Sequence, residues 1–144
     1  MGFLGSYKAA LDSKSRLSIP AKLRQSSDAS LEVAYLMLGL NGCLFLVPRA
    51  EWRRIQSKFD QFNFAHGDAN YFMRVLMLNT HEISPDTQGR FQIPTELAGK
   101  VGIDHDVRLL GMNRRIEIWS ANKLDEYIAG YGKSYEEVAA QLLL

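Results

Sequence analysis

The sequence predicts an α+β fold, mainly β, in which two tandem copies of one small unit share a single core. Three observations predict it. A ten-residue segment recurs 74 residues downstream, a second segment recurs 72 downstream, and strict apolar–polar alternation follows the same turn in each copy. Leu11-Asp12-Ser13-Lys14-Ser15-Arg16-Leu17-Ser18-Ile19-Pro20 returns as Pro85-Asp86-Thr87-Gln88-Gly89-Arg90-Phe91-Gln92-Ile93-Pro94. Gly39-Leu40-Asn41 and Leu44-Phe45-Leu46 return as Gly111-Met112-Asn113 and Ile116-Glu117-Ile118. A net deletion of two residues in the second copy accounts for the change of offset. Two matches in the same order define a duplication.

Each copy parses alike. Extended stretches at 7–12 and 81–84 lead into tight turns opened by Asp12 and Asp86, a residue that accepts backbone hydrogen bonds at turn starts. Gly89 takes positive φ there without cost. Alternation then points Arg16 and Ser18 outward and Leu17 and Ile19 inward, mirrored by Arg90, Gln92, Phe91 and Ile93. Pro20 and Pro94 hold the preceding residue extended and suit the start of short helices at 21–24 and 95–100. Two further strands follow in each copy, 33–38 with 43–47 and 107–111 with 115–119.

A helix closes each unit. Trp52, Ile55, Phe59 and Phe62 form an apolar stripe in the first, and Leu124, Tyr127, Ile128 and Tyr131 form one in the second. Residues 69–78 read as a connecting helix with Phe72, Met73, Leu76 and Met77 inward. Ser134 and Glu137 form a capping box that opens a last helix. The expected organisation is a first repeat over 1–62, a helical connector over 63–79, a second repeat over 80–131 and a C-terminal helix over 132–144. All these stripes read as core, not as cofactor boxes.

Bulk properties narrow the function. The 144 residues are 47% hydrophobic and 23% charged, a globular balance, and the apolar runs are strand-sized. Spanning a bilayer takes about 20 apolar residues, so no membrane span is expected. No basic start precedes an apolar run and cleavage site, so a cytoplasmic location is expected. Met1-Gly2 with Ser6 fits the loose myristoylation pattern, but one such chain binds membranes only marginally. A single cysteine, Cys43, excludes an internal disulfide and a multi-cysteine metal site. His66, His81 and His105 are scattered and lack metal-ligand spacing, and no phosphate-cradling, nucleotide-binding or nucleophile-elbow motif occurs. No cofactor, metal, small-molecule substrate or catalytic residue is expected.

The net charge of +1 conceals a separation. Residues 1–25 hold Lys8, Lys14, Arg16, Lys22 and Arg24 against Asp12 alone, a net of +4, whereas residues 120–144 carry a net of −2. The repeated Asp-x-x-x-Arg turn is the one constellation that stands out. It reads in two ways. Asp12 with Arg16, and Asp86 with Arg90, form surface ion pairs of about 0–1 kcal/mol and nothing more. Or each Asp stiffens a corner from which its arginine reaches phosphates or the O6/N7 edge of guanine. Lys14, Lys22 and Arg24 favour the second reading for the first copy.

These turns, with Gly39-Leu40-Asn41-Gly42-Cys43-Leu44-Phe45-Leu46-Val47-Pro48 and Arg115-Ile116-Glu117-Ile118-Trp119-Ser120, resemble the MraZ family of bacterial transcriptional regulators over nearly the whole chain. The resemblance implies two swapped-hairpin units of the AbrB/SpoVT type folded as one pseudo-two-fold barrel. It implies ring-shaped homo-oligomers and a place on the nucleoid. Double-stranded DNA is the implied partner, read as G-rich direct repeats upstream of the division and cell-wall gene cluster. The family's DNA-contacting positions fall on Asp12, Arg16, Asp86 and Arg90. Two residues depart from the family pattern. Ser15 stands where Gly is usual, costing roughly 1 kcal/mol at positive φ, and Gln88 stands where Lys is common. Two other readings compete: a swapped-hairpin antitoxin or protein-interaction module, and a double-psi barrel enzyme processed at a Gly-Ser bond such as Gly5-Ser6.

Overall fold

The computed structural model describes all 144 residues. The chain runs β1 (Phe3–Ala10), β2 (Arg16–Ser18), α1 (Ala21–Arg24), β3 (Ala34–Leu38), β4 (Leu44–Pro48), α2 (Arg49–Phe59) and α3 (Gly67–Leu78). The order then repeats: β5 (His81–Ile83), β6 (Arg90–Gln92), α4 (Thr95–Lys100), β7 (Asp106–Asn113), β8 (Ile116–Ser120), α5 (Ala121–Ala129) and α6 (Tyr135–Leu143). The short helices start at Ala21 and Thr95 because Pro20 and Pro94, at ψ 140° and 135°, are extended and donate no hydrogen bond.

Each copy pairs only its last two strands with each other, β3 with β4 and β7 with β8. The six-stranded antiparallel sheet has the order β1-β7-β8-β4-β3-β5, and β2 pairs with β6 in a separate two-stranded ribbon. Exchanging the copies (β1 for β5, β3 for β7, β4 for β8) reverses that order without changing it. The registers place the pseudo-two-fold axis. Leu17 faces Phe91 in the ribbon, and these are equivalent residues at the 74 offset. Phe45 faces Glu117 in the sheet, equivalent at the 72 offset. Each first strand also pairs with the other copy's third strand, β1 with β7 and β5 with β3. The fold is a pseudo-two-fold pair of swapped hairpins with peripheral helices.

The core lies between sheet and ribbon. Leu17, Ile19, Leu23, Leu44 and Leu46 are buried, and so are their equivalents Phe91, Ile93, Leu97, Ile116 and Ile118. Complete burial of one such side chain contributes about 1.5–3 kcal/mol, and truncating one to Ala costs about 2–5 kcal/mol. Asn41 and Asn113, another equivalent pair, turn the two long hairpins at φ 67° and 69°, where asparagine is tolerated far better than branched residues.

The helical stripes are less buried than their spacing predicts. In α3 only Leu76 is buried, while Phe72 and Met77 are each 46% exposed. In α5 only Leu124 is buried, Tyr127 and Ile128 are exposed, and Tyr131, also exposed, lies beyond the end of the helix. Phe62 lies beyond the end of α2, within 6 Å of Phe59 and Phe72 ring to ring, at 5.7 and 5.9 Å.

Candidate nucleic-acid interface

The two Asp-x-x-x-Arg turns have the same internal chemistry. Asp12 Oδ1 accepts the backbone N–H groups of Lys14 at 2.8 Å and Arg16 at 2.9 Å, and Oδ2 accepts Arg16 Nε at 2.8 Å. Asp86 Oδ1 accepts the N–H groups of Gln88 and Arg90, both at 2.9 Å, and Oδ2 accepts Arg90 Nε at 2.8 Å. Backbone bonds close each turn: Asp12 N to Arg16 O with Ser15 N to Asp12 O, and Asp86 N to Arg90 O with Gly89 N to Asp86 O. Each carboxylate therefore accepts three donors. The N–H of Arg16 is the first cause holding the Asp12 carboxyl below the usual range; for Asp86 it is the N–H of Arg90, followed by that guanidinium.

The consequence is orientation. Nε of each arginine is committed to its Asp, and no group in the chain engages Nη1 or Nη2. The side chains of Arg16 and Arg90 are 38% and 37% exposed, enough for those nitrogens to meet a partner. A guanidinium fixed at Nε keeps a planar pair of donors whose geometry suits a phosphate or a guanine edge.

The ribbon brings the turns together. Arg16 faces Gln92 and Ser18 faces Arg90, so by alternation all four lie on the outer face while Leu17 and Phe91 lie inside. Diagonal neighbours on such a ribbon have Cβ atoms roughly 7–8 Å apart. Two corners that the sequence assigns to different copies thus serve one surface. Gln92 was not among the expected site residues; it is exposed, opposes Arg16 and donates from Nε2 to Lys14 O at 3.3 Å. Its outward place in the alternation was the available signal.

The other expected cations divide. Lys14 and Lys22 are exposed, on the first turn and on α1. Arg24 is half-buried and donates from Nε to the carbonyl of Ile19 at 2.9 Å. It also lies over the second turn: a Cβ added at Gly89, whose φ is 76°, would stand 2.5 Å from Arg24 Nε and 2.8 Å from Ile19 O. Ile19 N in turn donates to Gly89 O at 2.9 Å. The equivalent of Arg24 in the second copy is Ala98, and the equivalent of Gly89 is Ser15, at φ 60°. Ile93 N donates to Ser15 O at 3.0 Å, so the backbone cross-link is kept while the guanidinium roof is not.

The fold and this surface define a duplicated swapped-hairpin protein with two clamped arginines on a shared ribbon. The family described as "MraZ protein, putative antitoxin-like" matches twice, over residues 2–75 and 76–144. The chain belongs to the MraZ family. It is 38% identical to "Transcriptional regulator MraZ" of Syntrophomonas wolfei, over 98% of this chain and 96% of that one. The protein of the same name from Heliobacterium modesticaldum is also 38% identical, with the same coverage. That from Clostridium tetani is 36% identical over 97% of this chain and 96% of its own.

Proposed function

We propose that this protein is a sequence-specific DNA-binding transcriptional regulator whose contact surface is the outer face of the β2–β6 ribbon. The observation that carries the reading is the pair of Asp-clamped arginines with unengaged Nη groups on that one face. Arg16 and Arg90 read guanine edges or phosphates. Asp12 and Asp86 hold them in position. Lys14 and Lys22 add attraction to the backbone, and Arg24 acts mainly by supporting the second turn. The DNA is G-rich direct repeats upstream of the division and cell-wall gene cluster. A ring of identical copies engages successive repeats, and linked contacts gain affinity through effective concentration. The protein works in the cytoplasm, on the nucleoid, without catalysing a reaction. No helix is long and apolar enough to cross a membrane.

A fluorescence titration with G-rich repeat DNA and a scrambled duplex, each at two salt concentrations, tests the reading. Both affinities should fall as salt rises, and the G-rich preference should persist at the higher salt. Equal affinity for the two duplexes at both salts would leave only general phosphate attraction and end the claim of specific readout. An antitoxin-like role instead predicts capture of a protein partner with no DNA enrichment.

A further inference from the structure

The two copies differ in what covers their last helices. In the first, α3 follows α2 and sends Leu76 into a small apolar cluster with Met37, Val47 and Trp52. In the second, α6 holds the corresponding place and buries none of its residues. Tyr135, Leu142 and Leu143 are 84%, 78% and 80% exposed. Isolated helices shorter than about 12–15 residues are marginal in water, and α6 has nine. Ser134 caps it by accepting the N–H of Glu137 at 3.1 Å, but a cap does not bury an apolar face.

An apolar groove of about 350 Å³ lies on the other copy, between α3 and the β3–β4 hairpin. Met37, Leu40, Phe45, Phe72 and Val75 line it, and Tyr71, 70% exposed, stands at its rim. The groove itself is lined by no charged residue, but the segments that supply groove and helix have opposite net charge. Residues 49–78 carry Arg49, Arg53, Arg54, Lys58 and Arg74 against Glu51, Asp60 and Asp68, a net of +2. Residues 121–144 carry Lys123 and Lys133 against Asp125, Glu126, Glu136 and Glu137, a net of −2. Two copies of α6 would repel one another, whereas α6 and the α2–α3 side attract.

We propose that the apolar face of α6 docks in the α3/β3–β4 groove of a second copy of this chain. Helix and groove are different surfaces, so the contact is head to tail and every copy keeps one free half until the assembly closes. The inference rests on the self-association proposed above and supplies its contact.

The test pairs light scattering with cross-linking. Chains carrying Leu142→Cys and Tyr71→Cys are co-expressed under different tags and mildly oxidised. Native Cys43 stays out of the reaction because it is buried, with its thiol pushed up to about 12. The expected result is a two-chain band at least tenfold stronger in the co-expressed pair than in either variant alone. Leu142→Asp with Leu143→Asp should lower the mean mass to that of one chain, 16.3 kDa, with an unchanged far-ultraviolet spectrum. Strong cross-linking of Leu142→Cys with itself would overturn the head-to-tail contact in favour of paired α6 helices. An intact assembly without the mixed band would overturn the groove assignment alone. A wild-type mass of one chain would remove the self-association as well.

Discussion

The Asp12–Arg16 and Asp86–Arg90 corners offer the same donors and acceptors, yet they stand on different supports. The first turns at Ser15, a residue with a Cβ at φ 60°, and has no guanidinium over it. The second turns at Gly89, φ 76°, beneath the Arg24 side chain, and Arg24 comes from the first copy. Local charge runs the other way, since Lys14 and Lys22 flank the first corner while Gln88 and Glu96 hold the corresponding places in the second. The clamp is the same in both copies while its surroundings differ: one corner carries the cations, the other lies under a roof. Identical hydrogen bonds therefore need not mean identical work.

The largest expected effect tests which corner leads in binding. Removing a bidentate guanidinium contact costs about 1–3 kcal/mol per site, roughly a 5- to 150-fold loss. Arg16→Ala should lie at the upper end in a DNA titration and Arg90→Ala at the lower, with assembly mass unchanged in both. Equal losses would show that cations around the first corner add nothing, and a larger loss for Arg90→Ala would reverse the ranking.

Next comes stability. Gly89→Ala forces a Cβ into positive φ and against Arg24 and Ile19 O, so urea unfolding should show a loss of about 1–3 kcal/mol. Ser15→Gly should be neutral or stabilising by up to about 1 kcal/mol, because relief of the left-handed strain is partly offset by glycine's unfolded entropy. Similar losses in the two variants would erase the difference in support.

Arg24→Ala probes the roof itself. Hydrogen exchange at the Ile19 and Arg90 amides should speed up severalfold while the Arg16 and Ile93 amides hold. Arg24→Lys, which keeps the charge but lacks Nε, should behave like Ala. Normal protection in Arg24→Lys would mean that charge, not the bond to Ile19, does the supporting.

The smallest effect is on pH. Both carboxyls titrate below the usual aspartate value of 3.8, so the clamps' contribution is complete above that value and is lost as pH falls through the lowered folded values. The Nε–H resonances of Arg16 and Arg90 should stay constant from pH 8 to 5 and change together only in more acid solution. Separate transitions well apart would show that the clamps are not equivalent after all.

Much of this was legible because duplication wrote it twice. The offsets 74 and 72 identified the clamped turns, the short helices after Pro20 and Pro94, and the Asn41 and Asn113 hairpins, since each depends on residues close in sequence. The helical faces were legible only in part. Spacing showed an apolar stripe through Phe72 and Met77, or through Ile128 and Tyr131, but an apolar stripe has no means of naming what covers it. Arg24 looked like one more cation of the basic run; its bond to Ile19 O and its place over Gly89 depend on a turn 65 residues away.

By itself, then, the sequence determined the repeat, the corners and the apolar alternation, because backbone hydrogen bonding and side-chain period act over a few residues. Only the tertiary structure decided that β2 lies against β6, that β1 and β5 each complete the other copy's sheet, and that both arginines share one face. Those choices follow from burying Leu17 and Phe91 against each other across the pseudo-axis, and apolar burial is non-directional: it specifies that surfaces meet, not which copy supplies them.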